Sequence, residues 1–366
     1  MSLARRNLVQ DKVRFGLSVA GIGLAVMLIL IFSGFLSGIN QQVTSYLDHS
    51  PGSLVVVQSG VTSLTGTTSL LPAGTEARVR ATPGVAAAVP VILQGIVLDL
   101  GGRRVTISLI GYDPKLGAGP WRLEAGREPR ADDEIVLDRV LARRAGLLVG
   151  ERVTMLGQQF TVAGLSSGTS SWVLSTVFAR KTAVESLLRA PRATSMLFVT
   201  PTMNTTLDEL QSRLDSMDGI DALPKSTLRD NDRKLLTRIF TPPVRLMAGI
   251  AFLVGTLVVG LVIYTATVER QREYGVLKAV GARNQMLYRV VTVQSFIAAG
   301  AGSVVGVVLA LAAAQLIMAL RPQFLLVIEV KTAAQAILAG LAMALVAALI
   351  PARAVARLEP ADVFRR

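Results

Sequence analysis

The chain has 366 residues, 51% of them hydrophobic and only 17% charged, a composition too apolar for an ordinary soluble protein and too interrupted for one that is all membrane. Its net charge of +13 does not mark a nucleic-acid footprint: residues 1–14, 268–290 and 352–366 hold 13 Lys and Arg against 5 acids, so the excess flanks apolar runs in the positive-inside pattern. With no cysteine, a disulfide framework, thiol catalysis and a thiolate metal site are excluded.

Residues 1–37 read as a basic cytoplasmic N-terminus, with Arg5, Arg6 and Arg14, followed by a first span, uncharged from Phe15 to Leu36. That run of 22 is longer than a signal-peptide core, so it is read as retained, with its N-terminus inside. Gly16, Ala20, Gly21, Gly23 and Ala25 give its inner half a small-residue face suited to close helix packing. Met27, Phe32, Phe35 and Leu36 make the outer half bulkier.

Residues 38–243 are expected to form one extracytoplasmic α+β domain, with a β-rich insertion near 115–175. Leu54 to Val57 and Val85 to Leu100 read as extended, Gly74 to Ala81 as a short helix, and Gly101-Gly102 as the turn of a hairpin leading into Arg103 to Ile110. Met196 to Thr200 reads as a strand and Thr206 to Met217 as a helix, with Thr205 or Thr206 as N-cap and Glu209 at the capping-box position. Leu228 to Phe240 is a charged helix, and Thr241-Pro242-Pro243 is expected to break or kink the entry to the next span.

Residues 244–268 form a second span, 290–320 a third containing Gly302 and Gly306 at helical spacing, and 333–351 a fourth. A short outer loop, 321–332, joins the last two, and 352–366 is a basic cytoplasmic tail. The fold class is thus an α+β membrane protein with four transmembrane helices and the large domain inserted between the first and second.

Between the second and third spans, residues 269–289 carry a dense charge cluster that must lie at the cytoplasmic surface. Tyr274, Val276, Leu277 and Val280 fall within half a helix circumference, so residues 271–280 read as a short amphipathic helix that Gly281 ends. The run Glu269-Arg270-Gln271-Arg272-Glu273-Tyr274-Gly275-Val276-Leu277-Lys278-Ala279-Val280-Gly281-Ala282 resembles the signature motif of the FtsX-like permease family, the membrane subunits of ABC transporters that include macrolide, lipoprotein and haem exporters. Tyr274 stands where that family usually has an aliphatic residue, and Lys278 where it more often has Arg. The order of elements in residues 38–243 resembles the extracytoplasmic core domain of the macrolide-exporter branch, and four spans with one insertion follow the family plan over nearly the whole chain.

The resemblance implies a multi-pass protein of the bacterial inner or plasma membrane with both termini cytoplasmic, working with two ABC ATPase subunits and a second permease copy, identical or a close paralogue. Glu269, Arg272, Glu273, Tyr274, Gly275, Leu277, Lys278 and Gly281 would form the coupling helix that docks into the ATPase. ATP and Mg²⁺ would be bound by that partner, since the chain has no Gly-x-x-x-x-Gly-Lys-Ser/Thr motif and needs no cofactor of its own. Neither His-Glu-x-x-His nor Gly-x-Ser-x-Gly occurs, so no catalytic or metal residues are assigned.

Sparse intramembrane charge favours membrane lipids and a hydrophobic or amphipathic cargo: haem, lipid, lipoprotein or a drug-like compound. Candidate cargo contacts are Met27, Phe35, Tyr46, His49 and Met247. His49 reads either as a solvated connector residue or as a ligand or gate, and Met27 either as packing or as a soft ligand for haem iron. Gly21 and Gly255 are candidates for the dimer interface, because they let backbones approach. Two alternatives stay open: an FtsX-type relay that activates a cell-wall hydrolase, and a membrane receptor or scaffold without an ATPase.

Overall fold

The computed structural model describes residues 12–100, 103–171, 175–269, 272, 276, 280 and 284–356. In chain order it has α1 (Lys12–His49), β1 (Leu54–Gln58), α2 (Thr75–Arg80), β2 (Val85–Leu100), β3 (Arg103–Tyr112), β4 (Leu123–Gly126) and β5 (Glu134–Asp138). Next come α3 (Arg139–Ala145), β6 (Arg152–Met155), β7 (Gln158–Ser166), β8 (Ser175–Arg180), α4 (Lys181–Leu187), β9 (Met196–Pro201), α5 (Leu207–Asp215) and β10 (Ile220–Pro224). Three long helices end the described chain: α6 (Lys225–Glu269), α7 (Asn284–Leu320) and α8 (Val330–Ala356). Two units are distinguished, a helical one of residues 1–38, 240–321 and 326–366, and an α+β one of residues 39–239 and 322–325.

Among the described residues, α1, α6, α7 and α8 are the helices long and apolar enough to cross a membrane. In the helical unit Ile22, Val26 and Leu30 of α1 are buried with Val259 of α6, Ala299 and Ala310 of α7, and Ala336 and Ala344 of α8. Small residues set these distances, because helices in lipid associate by close packing. A Cβ added at Gly302 would stand 2.8 Å from the Ile22 Cβ, and one at Gly306 only 2.6 Å from the Gly23 carbonyl oxygen. The Gly302/Gly306 pair is therefore the contact of α7 with α1.

In the α+β unit ten strands form one mixed sheet in the order β10-β1-β9-β2-β3-β8-β5-β7-β4, with β6 paired to β7. β1 shows why the layers stack as they do. Its Leu54-Val55-Val56-Val57 run is wholly buried, so the two-residue alternation of a strand must find apolar partners on both faces. Leu54 and Val56 pack with Val79 of α2 and Leu210 and Leu214 of α5. Val55 and Val57 pack with Leu47 of α1 and Leu228 of α6. A second core lies around Ile107, Leu137, Phe160 and Val177, covered by α3 and α4. β2 serves both halves: Val85 to Val91 pair antiparallel with β9, and Ile92 to Leu100 with β3.

Local signals are met closely. Thr206 accepts from the Glu209 N–H while the Glu209 carboxylate accepts from the Thr206 N–H, a complete capping box on α5. Leu100 pairs with Arg103 across the expected hairpin turn. One expectation is corrected: Thr241-Pro242-Pro243 does not break the chain's helix, which runs unbroken from Lys225 to Glu269. The two prolines cost the bonds to the carbonyls of Arg238 and Ile239, but both residues are exposed, so those carbonyls have water within reach.

Candidate functional site

In the helical unit, Gly21, Gly255 and Met247 come together in one apolar groove of about 330 Å³ between α1 and α6. A Cβ at Gly21 would lie 3.1 Å from Val258 Cγ1, and one at Gly255 would lie 2.7 Å from Ala25 Cβ. Both glycines thus pack α1 against α6 inside one chain. Leu24, Leu28 and Phe32 continue the groove along α1, and Met247, Ile250 and Val254 along α6. Met27 instead turns toward the four-helix core, half-buried against it. Phe35 is half-buried farther along α1.

In the α+β unit, the C-terminal part of α1 and the first turns of α6 are tied together by polar groups. Arg229 Nη1 donates to Asp48 Oδ1 at 3.1 Å, and the other oxygen of Asp48 accepts from Thr44 Oγ1 at 2.8 Å. Lys225 Nζ donates to the Ser50 carbonyl at 2.6 Å. Tyr46 reaches across to donate its hydroxyl to the Ala118 carbonyl at 3.0 Å, its ring edge-on to Phe198. His49 is exposed, with Nδ1 2.7 Å from the Ser45 carbonyl. Its ring stacks on Trp121 at 4.7 Å between centroids and 8° between planes. Trp121 in turn stands edge-on to Phe178. His49 is thus solvent-exposed and at the same time stacked on an aromatic cluster; no cluster of metal ligands accompanies it among the described residues.

Beside this cluster Asp232 of α6 is 1% exposed, and one of its oxygens accepts from Ser63 Oγ at 2.5 Å and from the Thr65 N–H at 3.1 Å. Sequence reasoning passed over it within a charged helix. The signal was available: Leu228, Asp232 and Leu236 recur every four residues and are all buried, so a charge sat on the apolar stripe. Farther along the sheet, Tyr112 donates to Glu128 at 3.3 Å, and burial first, then that carboxylate, pushes its hydroxyl pKa up. Arg127 clamps Glu134 through both guanidinium branches at 2.7 and 2.6 Å, holding that carboxyl down at about 2.

Of the charged segment after α6, Glu273, Tyr274, Gly275, Leu277, Lys278 and Gly281 lie outside the described residues. Glu269 ends α6 at an exposed position, and Arg272 is exposed and helical. Val280 donates its N–H to the Val276 carbonyl at 3.0 Å, the four-residue spacing of an α-helical turn, and both side chains are exposed. An exposed apolar pair on a helical turn is what a docking helix offers a partner.

A model of the MacB-like periplasmic core domain matches residues 15–217, and one of the FtsX-like permease C-terminal region matches residues 245–360. An uncharacterized ABC transporter permease of Mycobacterium tuberculosis strain H37Rv is 25% identical over 366 residues, covering 99% of this chain and 98% of its own. One from Mycobacterium bovis is 23% identical over the same length. Among solved structures, the periplasmic region of MacB from Actinobacillus actinomycetemcomitans is similar over 50% of this chain and 93% of its own, at TM-score 0.39 and 13% identity. The extracellular domain of the Gram-positive transporter YknZ is similar over 47% and 98%, at TM-score 0.35 and 13% identity. With over half its length matched by the first of these family models and most of the rest by the second, the chain belongs to the FtsX-like ABC transporter permeases that carry a MacB-like periplasmic core domain.

Proposed function

We propose that this permease exports or extracts a hydrophobic or amphipathic cargo by mechanotransmission. Being an ABC transporter permease implies an ATPase partner. In the proposed assembly two ATPase subunits, which bind ATP and Mg²⁺, serve two permease copies, identical or closely paralogous. The groove floored by Gly21 and Gly255 is where the second copy packs. Both termini and residues 269–289 lie in the cytoplasm, and the α+β unit outside. ATP binding closes the ATPases on the helix around Leu277, and α1 and α6 carry the movement to the α+β unit.

The observation that carries this reading is the burial of Leu47 of α1 and Leu228 of α6 with Val55 and Val57 of one strand, beside the Asp48–Arg229 ion pair. Helices whose ends share one core with a sheet strand move that sheet when they move. The sparse charge of the membrane-spanning helices supports the nature of the cargo. The experiment is ATP-dependent release of a hydrophobic fluorescent cargo from proteoliposomes containing the permease and its ATPase. Leu277→Asp, which would bury an unpaired carboxylate against the ATPase, should abolish release and cargo-stimulated hydrolysis while the permease stays folded. Wild-type turnover in that variant refutes the coupling assignment. Hydrolysis without cargo release at all would favour the relay.

A further inference from the structure

A second cleft lies wholly within the α+β unit, about 330 Å³ in volume, between the C-terminal part of α1, the start of α6 and the sheet. That is the low end of the range that holds small ligands. Its chemistry differs from that of the apolar groove between α1 and α6. Hydroxyl or amide groups of Gln42, Thr65, Thr67, Ser108, Ser170 and Thr176 line it. Tyr46, Leu93, Ile110 and Trp121 supply an apolar wall.

Charge decides which ligands can enter. Among the described lining residues there is no Lys, Arg or His, so an anion meets no counter-charge. The one acid, Asp232, is 1% exposed and held by Ser63 and Thr65, so a cation cannot reach it without giving up its own water. Hydrogen-bonding capacity, in contrast, is left over. Ser170 Oγ is buried with no partner among the described residues. Gln42 gives its Nε2 to the Gln323 carbonyl at 3.0 Å, which leaves its amide oxygen to accept. Thr176 Oγ1 donates to the Thr169 carbonyl at 2.6 Å and keeps its acceptor sites. At Gly95 an added Cβ would meet nothing within 4 Å, so the strand floor there is open. Trp121, oriented by stacked His49 and edge-on Phe178, offers a fixed indole beside these groups.

From this we infer that the cleft binds an uncharged, multiply hydroxylated head group, of the glycosyl or polyol kind, borne on an apolar chain. The inference rests on the proposed handling of an amphipathic cargo and names the class of its head group. Sugar hydroxyls both donate and accept, which matches Ser170, Gln42 and Thr176. The C–H face of a sugar ring packs on the indole.

The test uses the full-length permease in lipid nanodiscs carrying Trp172→Phe, which leaves Trp121 as the sole tryptophan of the two in the chain. Three probes with the same eight-carbon chain are titrated below solubilising concentration: octyl glucoside, octyltrimethylammonium and octyl phosphate. Octyl glucoside should change Trp121 emission saturably, and the two ionic probes should bind at least tenfold more weakly. Ser170→Val and Gln42→Leu should each weaken glucoside binding roughly fivefold to tenfold, the equivalent of one lost hydrogen bond, and Ser170→Thr should restore it. Unchanged thermal unfolding shows that the variants are folded. Equal responses to all three probes, no response to the glucoside, or glucoside binding unmoved by both substitutions would overturn the assignment. Because no ATPase is present, glucoside binding by a permease that fails the release experiment would refute export and leave the head-group class standing.

Discussion

Gly255 of α6 faces Ala25 of α1 so closely that a Cβ on the glycine would stand 2.7 Å from the alanine Cβ and 3.0 Å from Met343 Sδ. Two helices of the chain therefore meet at the limit that backbone allows, with a third against them. Without a hydrophobic driving force between helices in lipid, such contacts carry the packing.

Gly255→Leu should accordingly destabilise the helical unit by about 1–3 kcal/mol, the usual cost of overpacking. Gly249→Leu on the same helix is the control, since an added Cβ there meets nothing within 4 Å. Thermal unfolding of the two variants in one detergent compares them. Equal losses would mean that the α1–α6 contact is not tight in solution.

Asp138 is 1% exposed and caps α3, accepting from the Val140 N–H at 2.7 Å and from Thr169 Oγ1 at 2.7 Å. Asp138→Ala removes the cap and leaves the Thr169 hydroxyl with Ser166 Oγ, at 2.7 Å, as its side-chain partner, for a combined loss of about 1–2 kcal/mol. Asp138→Asn keeps an acceptor and should cost less than half of that. Denaturant unfolding followed by tryptophan emission measures both.

The Arg127–Glu134 clamp predicts an acid limb. Because hydrogen bonding to Arg127 holds Glu134 down at about 2, below its ordinary value of 4.5, the folded state binds fewer protons than the unfolded one between these values. The stabilisation is complete above about pH 4.5 and is lost as pH falls toward 2. Protection of the β5 and β7 amides, taken as exchange relative to the intrinsic rate at each pH, should fall over that window in the wild type, and Glu134→Gln should flatten the fall.

The Asp48–Arg229 pair is more than one third exposed on both sides, so it should contribute only about 0–1 kcal/mol. A double-mutant cycle of Asp48→Ala and Arg229→Ala should return a coupling energy in that range. Replacing both by cysteine in this cysteine-free chain and bridging them with a bifunctional thiol reagent long enough to span the Asp–Arg contact should lock α1 to α6 and stop cargo release. Release that survives the crosslink would mean that these helix ends need not part during transport.

Local signals were legible in the sequence. Twenty or more apolar residues in a row, the Thr206/Glu209 spacing, and the turn between Leu100 and Arg103 all act over a few residues, where sequence and physics coincide. Contacts between distant residues were not. Nothing near Tyr46 announces Ala118, and nothing near Asp48 announces Arg229, because these partners are set by how the strands order themselves. Pro242 and Pro243 misled for a related reason: a local rule against helix was overridden by strong helix formation on either side. His49 read as an isolated residue since its partner Trp121 lies far along the chain. The charged stretch at 269–282 was legible from its charge and its amphipathic period, whereas its role as a coupling helix came only from the family resemblance, since a helix so short does not stand alone.

β1 carries one further consequence, for the order in which the protein can be made. Its neighbours in the sheet are β9 and β10, from Met196–Pro201 and Ile220–Pro224. A chain emerging from the ribosome holds the apolar run Leu54 to Val57 with both edges open until those strands arrive, and open apolar edges invite pairing with other chains. The last of them ends at Pro224, and the helix of the second span starts at Lys225. Closure of the sheet is therefore timed to the synthesis of that helix, and a nascent chain arrested before residue 220 should depend on chaperones to stay soluble.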